Sequence, residues 1–152
     1  MKRVIFLFLL NFLAINGFSQ SKYPVKWEVS SERIDELTYK VLFTAEIDAT
    51  YHIYPQKGAT GGMGMPTKFI FEENPNLEFK GALEEKGEEQ QGNKPLPYYS
   101  KGVTFTQIVK LTADKEARLN ATIRFMACTN QMCLLPSTKK FTVNLNSKSI
   151  PK

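Results

Sequence analysis

Apolar residues recur at every second position through most of this chain. Leu37, Tyr39, Val41, Phe43, Ala45 and Ile47 alternate with Thr38, Lys40, Thr44, Glu46 and Asp48, and Leu42 is the one apolar residue on the polar side. Ala121, Ile123, Phe125 and Ala127 repeat the pattern, as do Phe141, Val143 and Leu145. Val25-Trp27-Val29, Phe69-Phe71, Leu77-Phe79 and Val103-Phe105 are shorter versions of it. A period of two marks a strand with one buried face, because successive side chains point to opposite sides of a sheet. Turn-forming clusters separate the runs at Glu73-Asn74-Pro75-Asn76, Gly58 to Pro66 and Gln91 to Pro97. No amphipathic helical stretch interrupts them. The pattern predicts an all-β fold of seven or eight short strands over about 130 residues, in two antiparallel sheets packed face to face. Gln56 to Pro66 and Glu84 to Lys101 read as long loops, which on a rigid β scaffold often carry function.

With 152 residues there is room for one domain with a real core. The start, MKRVIFLFLLNFLAINGFSQ, places Lys2 and Arg3 before an apolar run from Val4 to Ile15, followed by the small residues of Gly17-Phe18-Ser19. That is the layout of a secretory signal, and the run is short for a membrane span. The expected division is a signal peptide at 1–19 and a single domain at 20–152, with no stable membrane insertion after cleavage. Without Lys2 and Arg3 the basic count falls from 20 to 18 against 15 acidic residues, a net charge near +3. Charges of both signs are interspersed, so nucleic acid is not an expected partner.

Export matters because disulfides persist outside the cytoplasm. The chain has two cysteines, Cys128 and Cys133, in the stretch FMACTNQMCLLPS. If Thr129-Asn130-Gln131-Met132 forms the loop of a hairpin, the two face each other across its base. Opposed residues of an antiparallel pair have Cα atoms roughly 4.5 to 5.5 Å apart, within the span a disulfide bridges. As a staple, such a short loop contributes only about 2 kcal/mol. The usual sandwich disulfide joins strands distant in sequence, whereas this one joins neighbours. Alternation continued from Phe125 and Ala127 puts Cys128 in the outward set with Arg124 and Met126, within reach of a foreign sulfur. Composition and spacing leave two readings open, a redox pair and an idle exported disulfide.

His52 is the sole histidine. Beside Cys133 it would favour the thiolate at neutral pH; elsewhere a lone histidine is a structural residue. Tyr51, Tyr54, Tyr98 and Tyr99 read as packing and rim residues. Four methionines follow the leader, Met63 and Met65 in GGMGMP and Met126 and Met132 around the cysteines. Thioether and thiolate ligands favour Cu(I), so a copper carrier is an alternative to flexible apolar filling. GATGGMGMP has no Gly-Lys-Ser/Thr continuation, and there is no metal-ligand histidine cluster, serine nucleophile motif or paired-carboxylate signature. No cofactor is expected.

The run R-F-M-A-C-T-N-Q-M-C-L-L-P-S-T-K-K-F-T-V resembles the redox segment of the amino-terminal domain of the thiol:disulfide interchange protein DsbD family. There an aromatic-rich strand ends in a cysteine, and a short loop leads to a second cysteine, prolines and a closing strand. Ala49-Thr50-Tyr51-His52-Ile53-Tyr54 resembles that family's Gly-Tyr-Tyr-x-Tyr segment. Tyr99 with the Val103–Leu111 strand is similar to the tyrosine and strand before the cysteine hairpin. The resemblance spans roughly Trp27 to Leu145. It implies an immunoglobulin-like antiparallel β-sandwich in the periplasm, or otherwise exported, that acts as a component of protein-disulfide reduction. A thioredoxin-like reductant would reduce its disulfide, and it would in turn reduce oxidised exported client proteins. By this resemblance Cys133 forms mixed disulfides, Cys128 resolves them, and His52 and Tyr54 occupy two aromatic positions beside the pair. The family's aromatic cap over the disulfide would fall near Gln91-Gly92-Asn93; with no aromatic there, Tyr98 or Leu96 is left to cover the sulfurs. With the chain ending at Lys152, the electron donor is expected to be a separate protein.

Overall fold

The structure, a computed structural model, describes residues 23–57, 64–90 and 97–146. The leader expected at 1–19, and the expectations placed on Met63, Gln91-Gly92-Asn93 and Leu96, lie outside these residues. Within them are seven strands: β1 (Val25–Arg33), β2 (Thr38–Ile47), β3 (Lys68–Phe71), β4 (Leu77–Gln90), β5 (Tyr98–Leu111), β6 (Ala117–Phe125) and β7 (Ser137–Leu145). All pairings between them are antiparallel. One sheet has the order β1-β2-β5-β4 and the other β3-β6-β7. Lettered A to G along the chain, these are the ABED and CFG sheets of the constant-type immunoglobulin fold.

Period-two alternation builds the core as expected. In β2, Tyr39, Val41, Phe43, Ala45 and Ile47 are buried; in β5, Val103, Phe105 and Val109; in β6, Leu119, Ala121, Ile123 and Phe125. The sheets meet through interlocked rings. Trp27 of β1 packs edge-on against Phe125 at 5.3 Å, and Phe69 of β3 packs against Phe43 at 5.3 Å and Phe105 at 4.8 Å. Such pairs add about 0.5–1.5 kcal/mol each beyond their burial.

Glu84 to Gln90 and Tyr98 to Lys101, expected in a loop, are strand. β4 runs on to Gln90 and β5 begins at Tyr98, with Glu84 opposite Thr106 and Gln90 opposite Tyr98. The reason is that β4 is an edge strand, and its second half, EEKGEEQ, carries charge where a central strand would show apolar residues. Charged, irregular edges discourage pairing with other chains. The ladder shifts register twice, between Gly87 and Glu89 and between Lys80 and Glu84, where Gly81 adopts φ +70°. A side chain would resist that conformation. Gln107 faces inward between Phe105 and Val109, and its amide donates to the Lys80 carbonyl at 3.3 Å. A buried polar side chain is thereby spent on a carbonyl at the break in the ladder.

The register also decides what meets at one end. Gly102 near the start of β5 lies opposite Glu46 near the end of β2, and Val25 at the start of β1 lies opposite Ile47. The β2–β3 and β6–β7 connections and the beginnings of β1 and β5 therefore gather at the same end of the sandwich. The cysteines lie there.

Candidate functional site: the cysteine end

After Ile47 the chain turns at Asp48–Thr50 and crosses from one sheet to the other. Tyr51 donates to the Asp48 carbonyl at 3.2 Å, and Thr50 sits at φ 74°. Three residues then link the sheets. Ile53 exchanges both backbone hydrogen bonds with Tyr99 of β5, at 3.0 and 2.9 Å. His52 exchanges both with Cys128, each 2.9 Å, just beyond β6. The Tyr54 carbonyl accepts from the Thr67 hydroxyl at 2.7 Å, ahead of β3. Ile53 and Tyr99 point into the core, with 0% and 2% exposure. His52 and Tyr54 therefore share the opposite side of the segment.

Cys128 and Cys133 are disulfide-bonded, with Cα atoms 3.9 Å apart, closer than the sequence-based expectation. They oppose each other as an isolated antiparallel bridge, as the hairpin reading requires. Leu134 donates to the Ala127 carbonyl at 2.9 Å, extending the pairing by one step. The loop is closed from within: Thr129 donates its backbone N–H to the Met132 carbonyl at 2.7 Å. Its hydroxyl accepts from the N–H groups of Gln131 at 3.2 Å and Met132 at 3.1 Å. This is the local turn chemistry that Ser and Thr supply.

The assignment of Cys128 to the outward face is corrected. β6 ends at Phe125, and Met126, Ala127 and Cys128 beyond it are all buried, Cys128 at 1% exposure. Alternation describes a strand with one wet face. This segment is flanked by the His52 segment on one side and by the returning hairpin on the other. Cys133 is half-buried, and Met132 and Leu135 beside it are 56% and 86% exposed. Cys133 is therefore the more exposed residue of the pair.

His52 is 2% exposed, so the structure places it next to Cys128 rather than at the rim. Its ring lies 4.7 Å from that of Tyr98, and Nε2 is 3.4 Å from the Tyr54 hydroxyl. Tyr98 and Tyr54 are half-buried, whereas Tyr99 belongs to the core. Burial pushes the Tyr54 phenol above its ordinary value, and the Tyr98 phenol nearby adds to the shift. Gly64 permits the tyrosine's position: a Cβ there would lie 2.2 Å from the Tyr54 ring.

Tyr23 is a member of this end that the linear pattern does not reveal. Its hydroxyl accepts from the Ala127 N–H at 3.0 Å and donates to the Leu135 carbonyl at 3.1 Å. One side chain thus spans both arms of the cysteine hairpin, while its ring packs edge-on against Phe125 at 5.4 Å. Burial raises its phenol, and the hydrogen bond from Ala127 draws it partly back. The sequence signal for Thr129 is its place directly after a cysteine at a turn. For Tyr23 there is none, because its partners lie 104 and 112 residues away.

Among the described residues no three of His, Cys, Asp and Glu come together as a metal site. Met126 is buried at the base of the hairpin and Met132 is exposed in its loop. An open hollow of about 840 Å³ lies on the outer face of the four-stranded sheet, lined by Lys40, Leu42, Thr104, Thr106 and β4 residues, and includes none of the cysteine-end side chains named here. Among the described residues no helix is long and apolar enough to cross a membrane.

Fold and site together define an immunoglobulin-like domain with a local disulfide at the loop end of the sandwich. Among solved structures, the chain is similar to the N-terminal periplasmic domain of ScsB from Proteus mirabilis, with a TM-score of 0.55 and 14% identity. The match covers 84% of this chain and 48% of that one, so the chain spans about half the length of the ScsB structure. More remote are the GAE domain of yeast GGA1, at TM-score 0.48 and 8% identity over 83% of this chain and 95% of that one, and the N-terminal domain of Neisseria meningitidis DsbD in its reduced form, at 0.40 and 16% over 78% and 85%. No protein-family model and no curated protein sequence matches the chain. At these identities the likeness to ScsB is one of fold.

Proposed function

We propose that this chain is an exported thiol–disulfide exchange domain of the DsbD amino-terminal type. It relays reducing equivalents from a thioredoxin-like donor to oxidised client proteins through Cys128 and Cys133. The observation that carries the reading is the asymmetry of the disulfide: a half-buried Cys133 bonded to a buried Cys128, in a short hairpin on a fold that has its own core. The cysteine motif's resemblance to the DsbD family and the fold shared with a periplasmic domain of ScsB support it. A donor thiolate attacks Cys133, a mixed disulfide forms, and a second thiolate of the donor resolves it, leaving the dithiol. The dithiol reduces a client by the same steps in reverse. His52 lies opposite Cys128, with Tyr54 and Tyr98 against its ring, while Tyr99 holds the segment from the core through Ile53.

Redox titration in glutathione buffers tests this reading. An exchange domain equilibrates there, whereas a structural disulfide resists reduction below about −300 mV. A Cys128→Ala variant is expected to trap a thioredoxin-like protein as a stable mixed disulfide through Cys133. A pair that stays oxidised throughout would leave an inert binding module. Tight Cu(I) binding lost on substitution of Met63, Met65 or Cys133 would make the protein a copper carrier instead.

A further inference from the structure

His52 is a buried titratable group to which the exchange steps above assign no part. Because it and Cys128 exchange both backbone hydrogen bonds, they are directly opposed. Their side chains leave the same face of the ladder, with Cβ atoms about 5 Å apart. Cys133 opposes Cys128 from the other side. The result is a row across three chain segments, with Cys133 half-buried at one end, Cys128 in the middle, and His52 buried at the other end. Tyr54 and Tyr98 pack against the imidazole.

The middle position poses a chemical problem. When a foreign thiolate opens the disulfide at Cys133, the electron pair leaves on Cys128, at 1% exposure. A thiolate cut off from water is disfavoured. We propose that His52 is the proton partner of Cys128: it donates a proton to the departing sulfur when the disulfide opens and takes it back when the disulfide closes. This rests on the exchange reading above.

In the opening step RS⁻ forms a bond to Cys133 Sγ, the Sγ–Sγ bond breaks, and the His52 imidazolium passes one proton to Cys128. The products are a mixed disulfide, a neutral thiol and a neutral imidazole. In the closing step the imidazole removes that proton, Cys128 attacks Cys133 Sγ, and RS⁻ departs. Electrons and protons balance in both directions, with the protein thiol of the partner as reductant.

Two phenols adjoin the ring. They belong to Tyr54 and Tyr98. The hairpin from Met126 to Pro136 has no charged side chain. On the neighbouring strands Glu88 pairs with Lys101 at 3.1 Å, and Glu85 accepts from the Gln56 N–H at 3.1 Å. Of these groups, the imidazole is the one whose ordinary titration falls near neutral pH.

The test follows the closing step. Chemically reduced protein is mixed with dithionitrobenzoate, an aromatic disulfide whose released thiolate absorbs visible light. Cys133 releases the first equivalent and Cys128 the second, so the second phase isolates the buried sulfur. Between about pH 5 and about pH 9 the second phase of the wild type is expected to rise through the histidine range and then level off, below the thiol range. In His52→Phe, which keeps a ring in place, it should be at least about tenfold slower at pH 7 and climb instead toward the thiol range. His52→Gln should match His52→Phe, and the first phase should stay unchanged in both. Coincident wild-type and His52→Phe profiles would overturn the proposal, as would a wild-type profile without an inflection in the histidine range. The wild-type profile decides the matter if neither variant folds. Failure to equilibrate with glutathione would instead count against the exchange function, because this assay needs no biological partner.

Discussion

The middle of the sandwich and its cysteine end are held together by different means. Immunoglobulin domains of antibodies tie the second and sixth strands with a disulfide through the core. Here β2 and β6 carry Val41, Phe43, Ile123 and Phe125, all at 0% exposure, and the aromatic rings of Trp27, Phe69 and Phe105 fill the space between the sheets. The disulfide sits instead at the end, joining residues five positions apart. It closes a loop too short to restrict the unfolded chain by much. Stability is vested in packing, so the fold is expected to persist when the sulfur–sulfur bond is opened. A sandwich that relied on its disulfide for stability would be a poor place for an exchangeable one.

That contrast is most directly broken in the middle. Phe105→Ala empties a site at 0% exposure that touches both Trp27 and Phe69. It is expected to cost about 3–5 kcal/mol in urea denaturation, whether the cysteines are oxidised or reduced. Removing the disulfide by Cys128→Ala with Cys133→Ala should cost less, about 2 kcal/mol, and leave the β-rich circular dichroism spectrum unchanged. A larger loss than that of Phe105→Ala would invert the comparison. Tyr23→Phe should cost about 1–2 kcal/mol, because it leaves the Ala127 N–H and the Leu135 carbonyl without their shared partner. The loss should be greater in the reduced protein, where Tyr23 is the remaining side-chain tie between the hairpin arms at that level; equal losses in both redox states would contradict this.

The smallest effect concerns alkaline pH. The Tyr23 and Tyr54 phenols are raised in the folded protein, chiefly by burial. Below about pH 10, the ordinary tyrosine value, both folded and unfolded chains keep these protons, and the contribution is fully present. Above it the unfolded chain releases them first, so stability falls as pH rises through the folded values. Urea midpoints measured between about pH 9 and about pH 11 should decline, and Tyr54→Phe should flatten the slope. An unchanged slope would place the alkaline sensitivity elsewhere.

Much of this molecule was legible in its residues, and the boundary has a physical cause. Alternation is a local property: where one face of a strand is dry and the other wet, the order of apolar and polar residues reports it. The interior strands, the all-β sandwich and the cysteine hairpin, whose partners are five apart, could all be read that way. The second half of β4 could not, because an edge strand with charges on it lacks the contrast that alternation measures. Cys128 was read on the wrong face for a related reason: beyond the end of β6 at Phe125, Met126, Ala127 and Cys128 are buried in succession, so period two no longer predicts exposure. The approach of His52 to Cys128 and the Tyr23 clasp join residues 76 and 104 positions apart, and their positions depend on how two sheets stack. The sequence by itself determined that there would be strands and a pair of sulfurs within bonding distance. Tertiary structure alone decided which cysteine is buried opposite His52 and which is partly exposed, because that depends on backbone pairing between segments that no local pattern connects.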